Sequence, residues 1–257
     1  MNEIRIILVE PAGALNVGSI ARVMKNMGLS DLILVNPQCD RFSESARQMA
    51  VHAIDILENA QIVPDLPHAL QGCQRAMATT ARSRALSTKL ESPKSALSWL
   101  IGDNITSALI FGPEDRGLSN QELNYAQRFV GIPSNPVYPS LNLAQAVAIC
   151  AYELYQLSLS NNVDNPPGCV TLQARESDNL NSVSGHNATI ETLEAYYAHL
   201  ESLLLDIGYL YPHTATARMA KFRRLYNRTN LTKEEVAMLR GILRQIKWAI
   251  NNAKSRE

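Results

Sequence analysis

The chain has 257 residues, 46% hydrophobic content and 6% aromatics, with 24 Lys plus Arg against 24 Asp plus Glu and a formal charge of zero. This length is ample for one large domain or a main domain with a smaller companion, and the apolar content excludes a wholly disordered chain. A neutral total gives no overall basic footprint for nucleic acid, although an average conceals how charge is distributed.

No segment approaches the roughly 18 consecutive apolar residues of a spanning helix. Met1–Glu10 has no basic stretch leading into a long apolar run, so neither a membrane span nor a secretory signal is expected, and the cytoplasm is the expected location. Cys39, Cys73, Cys150 and Cys169 are widely spaced with no CxxC pair, which predicts reduced thiols and no metal site.

The first 160 residues alternate short β-branched runs with helical patterns, the rhythm of an α/β domain with a mainly parallel sheet and helices on both faces. Strands are predicted at Ile4–Glu10, Asp31–Asn36 (ended by Pro37), Gln61–Val63, Arg75–Thr80, Ser107–Phe111 and Arg128–Ile132. Apolar residues at helical spacing predict a helix over Val17–Met27, followed by Gly28, and a mostly buried helix over Leu141–Leu157. The expected domain is residues 1–157. Residues 158–186, rich in Asn, Ser, Pro and Asp, read as a linker. Residues 187–257 read as a small helical extension, with an amphipathic helix over Thr189–Ile207 closed by Gly208. A last helix begins at Thr232, whose spacing to Glu235 is that of a capping box, and puts Val236, Leu239, Ile242, Leu243 and Ile246 on one face.

Three segments carry candidate chemistry. After the first strand, Gly13 and Gly18 are too far apart for a dinucleotide fingerprint, which leaves Asn16, Gly18 and Arg22. With a helix starting near Asn16, Gly18 and Arg22 share a face and the guanidinium lies beside free first-turn N–H groups, where a phosphate or developing oxyanion is favoured. A capping Asn, a packing Gly and a solvated Arg remain the plainer alternative. The second segment, Ala108–Leu118, runs a strand into a turn in which Gly112, Pro113 and Gly117 hold Glu114 at a strand end. A simple connecting turn is equally open there. In the third, Ile132–Asn142, Pro133, Pro136 and Pro139 stiffen a loop that places Ser140 and Asn142 about a helix start, as caps or as ligand-orienting groups. The five histidines form no HExxH pattern and no metal pair, and neither a phosphate-binding P-loop nor GxSxG is present.

Taken together, Asn16-x-Gly18 with Arg22, then Phe111-Gly112-Pro113-Glu114 with Gly117-Leu118, then Ile132-Pro133 with Pro139 to Ala144 and Ala146, resemble the three ordered motifs of the SPOUT superfamily. The likeness is to its SpoU/TrmH branch of RNA ribose 2′-O-methyltransferases. Thr79–Arg84 and the tail from Met219 through Arg244 resemble a bacterial subgroup acting on cytidine or uridine 32 of tRNA. The resemblance implies a deep trefoil knot, a homodimer whose active site draws on both subunits, and S-adenosylmethionine as cofactor, leaving S-adenosylhomocysteine. It assigns Thr79, Thr80, Ala81, Gly112, Ile132, Pro139, Ser140 and Leu141 to the cofactor pocket. Arg22 and Ser140 fall at the reacting centre, with Asn16 and Glu114 in support. Pro139 stands where better known relatives have a small polar residue; it offers a carbonyl but no N–H. The family proposal makes Arg22 a base, but a guanidinium is a poor proton acceptor, so orienting the hydroxyl and stabilising oxyanion charge weigh at least equally. The same chemistry on rRNA or on another tRNA ribose, and an RNA-binding protein that has lost catalysis, are the competing readings.

The neutral total is a cancellation. Residues 161–217 hold one basic side chain against seven acidic ones, whereas residues 218–247 hold nine against two, and Gln71–Lys94 holds five against one. Arg82 and Arg84, with Arg218, Lys221, Arg223, Arg224, Arg228, Arg240, Arg244 and Lys247, are therefore expected to be available to RNA phosphates.

Overall fold

The computed structural model describes residues 4–81, 90–102, 104–162 and 187–254. Six strands, β1 (Ile4–Val9), β2 (Leu32–Val35), β3 (Gln61–Val63), β4 (Arg75–Thr79), β5 (Ser107–Phe111) and β6 (Arg128–Val130), form one sheet of order β3-β2-β1-β5-β4-β6. Every pairing is parallel, and Ile7 at the centre registers with Ile33 on one side and Ile110 on the other. The helices are α1 (Ala14–Asn26), α2 (Glu44–Ala50), α3 (Ile54–Asn59), α4 (Leu66–Ala69), α5 (Pro93–Ala96), α6 (Asn120–Leu123), α7 (Leu143–Asn162), α8 (Ile190–Asp206), α9 (Pro212–Asn227) and α10 (Lys233–Lys254).

A parallel sheet covered on both faces needs apolar side chains on both, which explains why the strands read as nearly continuous hydrophobic runs. Ile4, Ile6 and Leu8 of β1 pack with Val17, Ile20 and Met24 of α1 and Val147, Cys150 and Leu154 of α7. Ile7 and Val9 face the other way, onto Leu66, Ala69, Leu123 and Ile190. That second layer is built from short helices that periodicity does not reveal. Their signals are caps: Asp65 for α4, and Ser119 with Glu122 for α6.

Three helices differ from expectation. α1 starts at Ala14, so Asn16 lies inside its first turn rather than at its cap. α7 starts at Leu143 and continues past Leu157 to Asn162, with Asn142 Oδ1 accepting from the N–H groups of Ala144 (2.9 Å) and Gln145 (3.3 Å). In α10 the capping box forms, with Thr232 N donating to Glu235 Oε2 at 2.8 Å and Glu235 N to Thr232 Oγ1 at 3.2 Å. Val236 and Leu243 are buried, but Ile242 and Ile246 are exposed, because α10 lies mainly against α8 and its covered seam is narrow.

The C-terminal helices enclose a cluster of their own around Tyr196, Tyr197, Leu203 and Met219. They are also joined to the sheet's second layer: Ile190 N donates to Cys73 O at 2.9 Å, Gly72 N to Glu191 Oε2 at 2.8 Å, and Asn227 Nδ2 to Ala126 O at 3.4 Å. Most of the expected linker, residues 163–186, lies outside the described residues, as do Arg82 and Arg84. No helix among the described residues is long and apolar enough to cross a membrane, and no cluster there could hold a metal ion. Cys73 and Cys150 are buried free thiols, with burial raising Cys73 to about 11 and Cys150 to about 12.

Candidate cofactor and RNA site

The carboxyl ends of β4, β5 and β6 surround a cavity of about 420 Å³, where α/β sheets usually place ligands. Thr79, Thr80 and Ala81 leave β4 into it, Gly112 follows β5, Ile132 follows β6, and Pro139, Ser140 and Leu141 close it from the loop before α7. Leu118, Val130, Leu143 and Ala146 supply apolar wall, and Glu114, Asp115 and Arg116 a charged one. The turn after β5 requires glycine at its start: a Cβ on Gly112 would lie 2.6 Å from the carbonyl carbon of Gly117. Thr79 donates its hydroxyl to Ile110 O at 3.1 Å, which ties the end of β4 to β5. The Pro139 carbonyl accepts from Ser134 Oγ at 2.9 Å, which pins the loop and uses one of its two lone pairs.

Beneath the cavity, Glu114 does what a capping side chain does elsewhere. Its carboxylate accepts from the N–H groups of Ala12 and Gly13, each at 3.1 Å, and from Asn16 Nδ2 at 2.9 Å. The α1 cap residue, Gly13, has no side chain to cap with, so a carboxylate from a distant turn takes over, favoured by the helix dipole. Burial works against the Glu114 charge, but hydrogen bonds from Asn16 and from the Ala12 and Gly13 backbone outweigh it and hold the carboxyl below its ordinary value. Asn142 Nδ2 donates to Asn16 Oδ1 at 3.0 Å, so one residue from each of the three segments joins a single chain of bonds.

Arg116 belongs to this site as well, although none of the three sequence motifs points to it. Its guanidinium bonds Glu122 (Nη1 to Oε2, 2.9 Å; Nη2 to Oε1, 3.0 Å) and Glu10 Oε2 (2.7 Å), and these carboxylates raise its pKa despite desolvation. It ties the loop bearing Glu114 to the end of β1. Its only signal in the sequence is a basic residue two positions after Glu114, and its partners lie in other segments.

Arg22 is placed differently from the expectation. It is exposed on α1, does not line the cavity, and stands about two turns beyond the helix start, where Glu114 already accepts from the N–H groups of Ala12 and Gly13. Gly18 is buried under α2, where a Cβ would run into the carbonyl oxygen of Ala46. Gly18, one turn before Arg22 on α1, is therefore a packing position, as the plainer reading of the segment has it.

Of the tail cations, Lys221, Arg228, Arg240, Arg244 and Lys247 are exposed, Lys247 Nζ standing 3.9 Å from Asp206. Arg218 is exposed too, but donates to Tyr209 O at 3.1 Å and lies over the Tyr209 ring. Arg223 departs from the expected phosphate contact. Its guanidinium makes a bidentate pair with Glu194, Nη2 to Oε2 at 2.7 Å, and covers the Tyr197 ring at 4.7 Å. With only 19% of that side chain exposed, its charge is committed to joining α8 and α9.

Residues 3–152 match the SpoU rRNA Methylase family, and residues 191–256 match the tRNA methyltransferase TrmJ, C-terminal domain. The tRNA (cytidine/uridine/adenosine-2′-O-)-methyltransferase TrmJ of Pseudomonas aeruginosa is 39% identical over 246 residues, 95% of this chain and 93% of that one. The tRNA (cytidine/uridine-2′-O-)-methyltransferase TrmJ of Pectobacterium atrosepticum is 39% identical over 248 residues, 96% and 97% of the two chains. The crystal structure of TrmJ from Z. mobilis ZM4 superposes with a TM-score of 0.79 at 30% identity, covering 96% of this chain and 99% of that one. A family match across the sheet domain, a second across the tail and relatives aligned nearly end to end place the chain in the SpoU methylase family, within its TrmJ group.

Proposed function

We propose that the chain transfers a methyl group from S-adenosylmethionine to the ribose 2′-hydroxyl of cytidine or uridine 32 in the anticodon loop of tRNA. The observation that carries this reading is the convergence of Thr79–Ala81, Gly112, Ile132 and Pro139–Leu141 on one cavity, with Asn16, Glu114 and Asn142 bonded beneath it. The cavity fits the cofactor in kind: apolar wall from Leu118, Val130 and Ile132 suits an adenine, backbone and hydroxyl groups at Thr80 and Ser140 suit a ribose, and Glu114 with Asp115 suits a cationic sulfonium. Held by Thr79–Ala81, Gly112, Ile132 and Pro139–Leu141, S-adenosylmethionine would supply a methyl group activated by its cationic sulfur. The tRNA substrate is supported by the named activity of the relatives and by the exposed tail cations. That one relative's name adds adenosine accords with chemistry at a ribose, which every nucleotide carries.

The chain's own residues must orient the hydroxyl and manage its proton. Ser140 stands in the cavity. Arg22, outside it, reads as a group that meets the site of a second copy, where a fixed guanidinium orients the 2′-oxygen and stabilises its developing charge. Leu15 on α1 is 56% exposed and Tyr152 on α7 is 49% exposed, apolar surface consistent with a homodimer formed through these helices. The division into a catalytic unit over 1–157, a linker and a helical RNA-binding extension, the trefoil knot and a cytoplasmic location belong to the same reading.

The test is transfer of radiolabelled methyl from S-adenosylmethionine to unmodified tRNA and to rRNA, followed by mapping of the labelled nucleotide. Label at ribose 32 of tRNA is expected. Label on rRNA alone or at another ribose would assign a different target, and cofactor binding by calorimetry without transfer would mark an inactive RNA-binding protein.

A further inference from the structure

At the end of the sheet away from the cofactor cavity, a second cavity of about 410 Å³ opens where the first residue of β6 meets the turn between α9 and α10. Trp99, Arg128, Arg228, Asn230 and Glu91 line it. Two guanidinium carbons, those of Arg75 and Arg128, lie 5.3 Å from the Trp99 ring centroid. Arg128 is anchored by Glu91, its Nε donating to Oε1 at 2.9 Å and its Nη2 to Oε2. Arg228 is exposed, its backbone N–H donating to Tyr226 O at the end of α9 while its guanidinium makes no hydrogen bond or ion pair among the described residues, and Asn230 is exposed in a left-handed conformation, φ 49°. The other amides of the cavity are already engaged: Gln127 bonds Ala76 N at 2.6 Å and Gln74 O at 3.0 Å, and Asn227 accepts from Tyr197 OH at 2.7 Å.

We propose that this cavity receives a nucleobase of the RNA substrate, one outside the reacting nucleotide. The proposal rests on the reading of tRNA as substrate. The Arg128 guanidinium, anchored by Glu91 and lying over the Trp99 ring, forms a cation–aromatic pair against which the π-face of any base can stack. Asn230 and Glu91 present an acceptor or donor to a base edge, and Arg228 stands where the adjoining phosphate would be neutralised. Two lining cations, Arg128 and Arg228, against the one carboxylate of Glu91 leave a net positive charge that favours an anion. A phosphopeptide would use the charge but not the flat aromatic wall. Arg128 begins the strand whose last residue, Val130, lines the cofactor cavity, roughly 7 Å away along the backbone. The two cavities are thus within reach of one RNA segment, and occupancy of the second would fix the register of the strand that enters the first.

The chain has two tryptophans, Trp99 and Trp248, so Trp248→Phe leaves Trp99 as the sole reporter. Unmodified tRNA is titrated into this variant while binding is followed in parallel on filters. Trp99 emission is expected to be quenched to saturation with the midpoint of filter binding. Arg228→Ala and Trp99→Phe, introduced separately into the wild-type chain, are each expected to weaken tRNA binding about fivefold or more. Filter binding with unchanged Trp99 emission overturns the proposal. So does quenching by cytidine 5′-monophosphate at lower concentration than by tRNA, which would assign the cavity to a free nucleotide. Absence of tRNA binding on the filter overturns the tRNA reading itself, and the proposal with it.

Discussion

Asn142 donates to Asn16 across 126 positions of sequence, Nδ2 to Oδ1 at 3.0 Å, and this bond makes the α7 cap part of the α1 terminus. Asn142 uses its two ends differently: Oδ1 caps α7, and Nδ2 reaches Asn16, which in turn donates to Glu114. Asn142→Asp separates the roles. An Asp caps as well as an Asn, so α7 keeps the roughly 1 kcal/mol that Asn142→Ala forfeits. The carboxylate cannot donate to Asn16, and an Asn16 flip to satisfy it would break the bond to Glu114. Thermal melts should rank Asn142→Asp above Asn142→Ala, while its kcat/KM falls by on the order of 10- to 100-fold, as expected when reacting groups shift slightly. Equal losses of stability in the two variants would show that the cap is not what Oδ1 contributes.

Glu114 links acid stability to the same terminus. Its carboxyl titrates below the ordinary glutamate value of about 4.3. With the folded pKa depressed, the stabilisation is complete above the unfolded value and is lost as pH falls through the folded one. Glu114→Gln removes the anion and keeps the size. At pH 7 it should cost about 0.5–1 kcal/mol, the scale of a partly solvated anion at a helix N-terminus. Urea unfolding from pH 7 to pH 3 should show the variant and wild type converging below about pH 4.

Much of the architecture was legible because its causes are local. Each of the six strands is a short apolar run bounded by a turn, and burial on both faces makes such runs unambiguous in β1, β2 and β5. The Thr232–Glu235 box announces α10. The helices α4 and α6 span four residues each, too few for periodicity, and only their caps betray them. The three site segments were legible as glycine and proline turns. Their connection through Asn142, Asn16 and Glu114 was not, since no local rule pairs residues a hundred positions apart. The basic tail shows the limit of charge patterning: Arg223 and Arg224 are neighbours in sequence, yet the helix turns Arg223 inward to Glu194. Ile242 and Ile246 show the same limit for apolar faces, because periodicity names the face but not the width of its partner.

Gly18 is required by packing rather than by backbone conformation. In a helix interior Gly18→Ala gains up to about 1 kcal/mol of propensity. Here the added Cβ meets the Ala46 carbonyl, which belongs to α2 and cannot swing away as a side chain can. The net expectation is destabilisation of about 1–3 kcal/mol, visible as a melting temperature several degrees lower. An unchanged or raised melting temperature would mean that α1 and α2 can separate freely.

Arg22 and Ser140 provide a test of the shared site. Arg22→Ala should retain cofactor binding by calorimetry and lose methyl transfer by about 10²–10³-fold, as for removal of one oxyanion donor. Ser140→Ala, with Ser140 in the cavity, should also be impaired. If Arg22 serves the site of a second copy, mixing the two inactive variants under conditions of subunit exchange restores about a quarter of the wild-type rate, because half the dimers are mixed and each holds one intact site. No recovery, with exchange verified by mass, would place Arg22 in the site of its own chain.

The tail cations should divide by what their charges already meet. Arg240 and Arg244 are exposed on α10, and each, replaced by Ala, should weaken tRNA binding and reduce the slope of log affinity against log salt by roughly 0.7–0.9 for each phosphate no longer neutralised. Arg223 holds Glu194 and stacks on Tyr197, so Arg223→Ala should leave the salt slope unchanged. Its effect should be on stability instead, about 2 kcal/mol for a charge-assisted pair with one partner stripped. Urea unfolding measures that loss directly, and filter binding between 50 and 200 mM salt, roughly the range over which phosphate neutralisation is most visible, measures the slope. A reduced slope in Arg223→Ala with unchanged stability would mean that the Glu194 pair opens when RNA binds, returning Arg223 to the phosphate-binding set.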